Sequence, residues 1–290
     1  MSLPKDREIE LRGCSPVKKI IVPDQKLEEL TAYLSTLPMS TKQYRIHSMK
    51  LKDALIDSKY FIDGYFKIHN IPYIRFYKIP FTKVQSFTTK VIHPYKLPIK
   101  LLSNGETNGY VEEHFTTNGK IFFKSLGIGE IICEKTSASY VHEITHTQID
   151  SVPRSFDDYY NQEVFSIFLE FFHSSLLSTD ENLLRLEEAN RIYELRELTK
   201  ELIAHNNGEK ELTREDQIEN SKYIQSNLIA FHLFSKFYFA RNEIKQEMLK
   251  DIQRIFDGNL TVEEYLNKYE VSFCNSQSQE KITDYLYRKK

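Results

Sequence analysis

Residues 135–150 read KTSASYVHEITHTQID. His142 and His146 stand four positions apart, and a helix puts residues at that spacing on one face. Their imidazoles can therefore be directed at a single metal ion. Glu143, one position after the first histidine, points to the side of that pair, where it reaches a metal-bound water without ligating the metal. Two imidazole donors with an adjacent carboxylate base are what His-Glu-x-x-His supplies in zinc hydrolysis. Ala138, Val141, Ile144 and Thr145 give the segment an apolar or small face, which suits a helix laid on an interior.

A catalytic zinc needs three protein ligands and one open position for water. The next histidines, His173 and His205, do not continue the motif as Gly-x-x-His would. The carboxylates are better placed. Glu163 stands near the start of DDYYNQEVFSIFLEFFHSSLL, after a stretch around Pro153 long enough to return the chain beside the first helix. Glu170 lies two helical turns further on. Glu163 is the preferred third ligand and Glu170 the alternative. VFSIFLEFF is strongly apolar, and a carboxylate buried in it needs a metal or a partner. Asp157 and Asp158 suit the positive end of this second helix. Asp150 and Ser166 are candidates to brace ligands from behind, although helix-end charge is the plainer reading of Asp150.

The elements that position these residues change in kind near residue 140. Before it lie most of the prolines and β-branched runs; after it the chain is rich in Glu, Leu and Lys, with one proline. The first half is expected to hold a helix from Asp24 to Leu37 and another over 50–68. Strands are expected at 74–79, 83–92, 109–115 and 119–125, with one more at 127–134. Asn118-Gly119 between two β-prone runs is a hairpin signal. The second half is expected to be helical over 136–149, 157–178, 180–205, 213–241, 243–256 and 261–268. Asn206-Asn207-Gly208 and Asp257-Gly258 read as helix stops. The polar tail after Cys274 is expected to be loosely held. The fold class expected is therefore α+β, with a mixed α/β lobe over 1–135 carrying a small sheet and a mostly helical lobe over 136–290 carrying the site.

HEITH followed by EVFSIFLE resembles the gluzincin peptidases, in particular the thimet oligopeptidase and oligoendopeptidase F family. There the third ligand opens a helix as Glu, apolar, any, Ser, with a second Glu at the seventh position; here these are Glu163, Ser166 and Glu170. YIQSNLIAFHLFSKFYFA (223–240) and FDGNLTVEEYLNKYEVS (256–272) are similar to the family's late helices. Thr145 stands where the family usually has glycine, the stretch from His146 to Glu163 is shorter, and Gln225 and Asn227 occupy places of family tyrosines. The resemblance implies a gluzincin architecture and a Zn²⁺ held by His142, His146 and Glu163. It implies Glu143 as general base, and a donor to the oxyanion from Tyr223 or His232, of which family position favours Tyr223. It further implies that an edge strand near 109–125 borders the cleft and pairs with short or unfolded peptides by main-chain hydrogen bonds.

Composition narrows the alternatives. With 39 basic and 41 acidic side chains in 290 residues and a net charge of −2, nothing draws the chain to nucleic acid or an anionic membrane. No apolar run is long enough to span a bilayer, and the N-terminus has no signal-peptide core, so a cytoplasmic location is expected. Cys14, Cys133 and Cys274 form no disulfide framework and no metal knuckle. The 18 Tyr and 19 Phe, without Trp, speak for interior packing and carry no function of their own. The expected activity is peptide-bond hydrolysis. The competing reading is a catalytically degenerate peptide-binding or regulatory protein that keeps a gluzincin-like zinc site. The oligomeric state is not expressed in the sequence.

Overall fold

The computed structural model describes residues 21–38, 182–271, 273 and 275–287, and the helix 156–177 with its side chains from 163 to 176. It also describes single helical residues at 57, 60, 61, 64, 65, 138, 139, 141, 142 and 145, and the backbone of five strands. The helices are α1 (Asp24–Thr36), α2 (Phe156–Leu177), α3 (Asn182–Asn206), α4 (Arg214–Phe239), α5 (Asn242–Phe256), α6 (Val262–Lys268) and α7 (Ser276–Leu286).

The α+β class expected from the sequence is corrected by this structure. Every described side chain lies in a helix or in a connection between helices, and none lies in a strand. The interior that holds the candidate site is helix packed on helix. Five backbone segments are extended, β1 (Arg75–Lys78), β2 (Ser86–Ile92), β3 (Ile99–Leu102), β4 (Gly109–Phe115) and β5 (Ile121–Gly129), and they pair among themselves in the order β1-β2-β3-β5-β4. They contribute no described side chain to the core. The burial that stabilises the described body comes from the 3.6-residue period of its helices.

At the centre is α2. Every side chain from Glu163 to Ser174 is buried, so this helix is enclosed on all sides and not merely on one face. Its phenylalanines meet those of α4: Phe171 and Phe231 have ring centroids 4.8 Å apart, and Phe172 and Phe237 also 4.8 Å. These tilted contacts suit the ring quadrupoles. Thr213 and Asp216 form a reciprocal capping box that starts α4. Gly208 and Gly258, just beyond α3 and α5, have φ of +75° and +70°, the left-handed conformation of a helix stop.

α1 belongs to the same helical body. Leu27, Leu30 and Leu34 are buried at helical spacing, and the helix ends before Pro38, with Leu37 extended as a residue preceding proline must be. Arg196 of α3 donates to the Leu34 carbonyl through Nε (3.0 Å) and Nη2 (2.6 Å), and Nη2 also reaches the Leu37 carbonyl (3.0 Å). A guanidinium thus satisfies carbonyls that the helix end leaves open.

The tail expected to be loose is instead α7. Asn275 and Ser278 cap it, and it buries Ile282 and Tyr285. The Tyr285 hydroxyl donates to Glu188 of α3, and the Tyr285 ring meets Phe234 at 5.5 Å. Among the described residues, no helix is long and apolar enough to cross a membrane.

Candidate metal centre

Ala138, Ser139, Val141, His142 and Thr145 are helical, and Ala138, Val141 and Thr145 are fully buried. This is the apolar and small face anticipated for the motif helix. Thr145, where a glycine was the family expectation, turns its hydroxyl back to the Val141 carbonyl at 2.7 Å and so carries no unsatisfied polar group inward. Glu143, Ile144, His146 and Asp150 lie outside the described residues.

His142 is 8% exposed and stands between two carboxylates of α2, Glu163 at 5% and Glu170 at 2%. Its two ring nitrogens face different partners. Nε2 is 3.4 Å from Glu163 Oε1, and Nδ1 is 3.2 Å from Glu170 Oε2. Glu163 and Glu170 are seven residues apart, nearly two full turns, so they lie on one face of α2 and bracket the imidazole from its two edges.

Glu170 has a second partner. Arg191 of α3 donates from Nη2 to the same Oε2 at 2.6 Å, and its Nη1 reaches Glu194 at 3.2 Å. Burial pushes the Glu170 carboxyl up, but the Arg191 charge, followed by the hydrogen bond and charge of His142, outweighs it and holds the group well below the usual carboxylate range. Burial likewise opposes the Arg191 charge, and Glu170, then Glu194 and Glu187, more than reverse that. The pair is mutually compensated, as buried charges must be.

The two carboxylates therefore differ. Glu170 Oε2 is shared by the Arg191 guanidinium and the imidazole. Glu163 faces the other ring nitrogen. With both nitrogens protonated, the imidazolium charge compensates the two carboxylates; with Nδ1–H alone, the Nε2 lone pair faces the Glu163 oxygen, and the two are then donors open to a shared cation. Donors of a tetrahedral zinc, bound at about 2.0–2.1 Å, would stand about 3.4 Å apart, a spacing that an imidazolium–carboxylate ion pair also gives. Among the described residues, no group of three or more His, Cys, Asp or Glu side chains is assembled for a metal. The described part of the site is thus a two-donor set with a supported histidine.

Ser166 does not brace it. Its hydroxyl is buried and has no hydrogen-bond partner among the described residues. Tyr223 and His232 both lie on α4, nine residues or two and a half turns apart. That puts them on opposite faces and about 13 Å apart along the axis, so they are alternatives and not a pair. Tyr223 is half-buried, while His232 is buried. His173, one turn beyond Glu170, is engaged by Asp57 at 2.9 Å through Nε2.

Arg191 is the residue that sequence reasoning missed. The signal for it was indirect: a glutamate within VFSIFLEFF requires a partner. Nothing in RIYELRE marks Arg191 above Arg196, and their roles are set by which way α3 faces. No protein-family model, no curated protein and no solved structure matches the chain.

Proposed function

We propose that the chain is a zinc-dependent peptidase of the gluzincin kind, with His142, His146 and Glu163 as ligands and Glu143 as general base. The observation that carries this reading is the two-sided setting of His142. One edge is held by a carboxylate that a half-buried arginine keeps charged, and the other looks at a second carboxylate at a spacing compatible with shared zinc ligation. Histidines that ligate metals characteristically donate their second N–H to such a partner. It also favours Glu163 over Glu170, because the Glu170 oxygen is already committed to Arg191 and His142.

A zinc ion, when bound, would supply Lewis acidity at the scissile carbonyl and hydroxide at neutral pH. The chain supplies the rest. Glu143 takes a proton from the attacking water and delivers it to the leaving amine. Tyr223, half-buried on α4, is the candidate proposed to donate to the developing oxyanion. Short or unfolded peptides are the proposed substrates.

The experiment is Glu143→Gln, assayed on a mixture of short peptides alongside zinc analysis. The expected result is full zinc content without cleavage. Retained cleavage rejects Glu143 as base. A wild-type chain that holds zinc and leaves every peptide intact favours the degenerate peptide-binding reading.

A further inference from the structure

We propose that Arg191 is a positioning residue for the metal centre, acting on His142 entirely through Glu170. It touches neither of the described donors of the proposed set. Its Nη2 lies 2.6 Å from Glu170 Oε2, and that same oxygen accepts from His142 Nδ1 at 3.2 Å. One oxygen thus joins a side chain of α3 to the motif helix across α2. The arrangement does two things. It prevents the Glu170 carboxylate from turning to the Nε2 edge, where it would compete with Glu163. It also fixes the imidazole plane, so that Nε2 and not Nδ1 faces Glu163.

Arg191 reads as more than a packing residue because of its surroundings. Glu170 is enclosed in an apolar helix, with Phe168, Leu169, Phe171 and Phe172 as its neighbours in sequence, all buried. Its carboxylate needs a compensating charge that stays when the metal leaves, and Arg191 supplies a permanent one. Glu194 holds the other end of the guanidinium at 3.2 Å, which orients the fork toward Glu170.

This inference rests on the zinc reading only for its metal-affinity arm. The first measurement uses metal-free protein labelled with ¹⁵N-histidine. The His142 Nδ1–H, hydrogen-bonded to a buried carboxylate, is expected to give a downfield signal protected from exchange with water. Arg191→Lys, which keeps a cation beside Glu170, should retain the signal, and Arg191→Met should lose it. The second measurement is zinc affinity by chelator competition across a cycle of Arg191→Met, Glu170→Gln and the double variant. Arg191→Met is expected to weaken binding about 10–100-fold in the wild-type background, the usual effect of losing such a support. In the Glu170→Gln background it should have an effect of about threefold or less, because its route is already cut. Independent, multiplying effects would overturn the proposal, as would an unchanged Nδ1–H signal in folded Arg191→Met. If that single variant does not fold, Glu170→Gln against the double variant, from which both charges are gone, decides the matter: equal affinities uphold the proposal and a tenfold difference overturns it. A wild-type chain without zinc affinity removes the peptidase reading, while the Nδ1–H signal still judges Arg191.

Discussion

Glu170→Gln isolates the electrostatics on which the centre is built. The substitution keeps shape and removes one charge from a pair whose carboxylate is buried and whose guanidinium is half-buried, with donor and acceptor 2.6 Å apart. Removing one partner of a buried pair costs about 3–5 kcal/mol, since the other charge is left uncompensated. Arg191 retains Glu194 at 3.2 Å, so the lower end applies, about 3 kcal/mol. At about 2 °C per kcal/mol for a chain of this size, Tm should fall by about 6 °C. The pH dependence has a definite sign. The folded carboxyl is held below its ordinary range, so the unfolded state binds the proton first as pH falls. The stabilisation is complete above the unfolded carboxyl pKa and drains away below it. About 2 kcal/mol of the wild-type advantage should be gone by pH 3. Urea denaturation of metal-free wild type and variant, followed by circular dichroism at pH 5 and pH 3, measures both quantities. Equal stability at pH 5, or a deficit that does not shrink toward pH 3, would refute the reasoning.

Other outcomes follow from the same structure. Glu163→Gln should weaken zinc binding more than Glu170→Gln in chelator competition, and the opposite ranking would show that the wrong carboxylate was assigned. Phe171→Ala, which empties a site between Phe231 and Phe234, should cost about 3–5 kcal/mol in denaturant unfolding. Arg196→Ala removes three hydrogen bonds to the end of α1 and should cost about 1–3 kcal/mol, with hydrogen-exchange protection lost first in α1.

What the sequence revealed depended on how the information is stored. Helices α2 to α6 were legible because their apolar residues recur at the helical period and their ends carry caps and glycines, as at Thr213, Gly208 and Gly258. α7 was not, because SQSQEKITDYL offers only Ile282, Tyr285 and Leu286 as apolar residues, and its stability comes from docking on α3 and α4. The class failed for a related reason. The β-branched runs and the Asn-Gly turn signal are read locally and do not disclose that the described interior is helix packed on helix. At the site, His142 was marked by its motif, and Glu163 and Glu170 by being acidic within an apolar helix. The division of labour between those two carboxylates was hidden, because it depends on the face of α3 that presents Arg191. That is a tertiary fact with no pattern along the chain.

The most direct test of the account is the X-ray absorption spectrum at the zinc edge, recorded on the full chain after loading with zinc and gel filtration. Two imidazoles and oxygen donors, all at about 2.0–2.2 Å, are predicted. A chain that emerges without zinc, or a spectrum showing sulfur at about 2.3 Å, would contradict it.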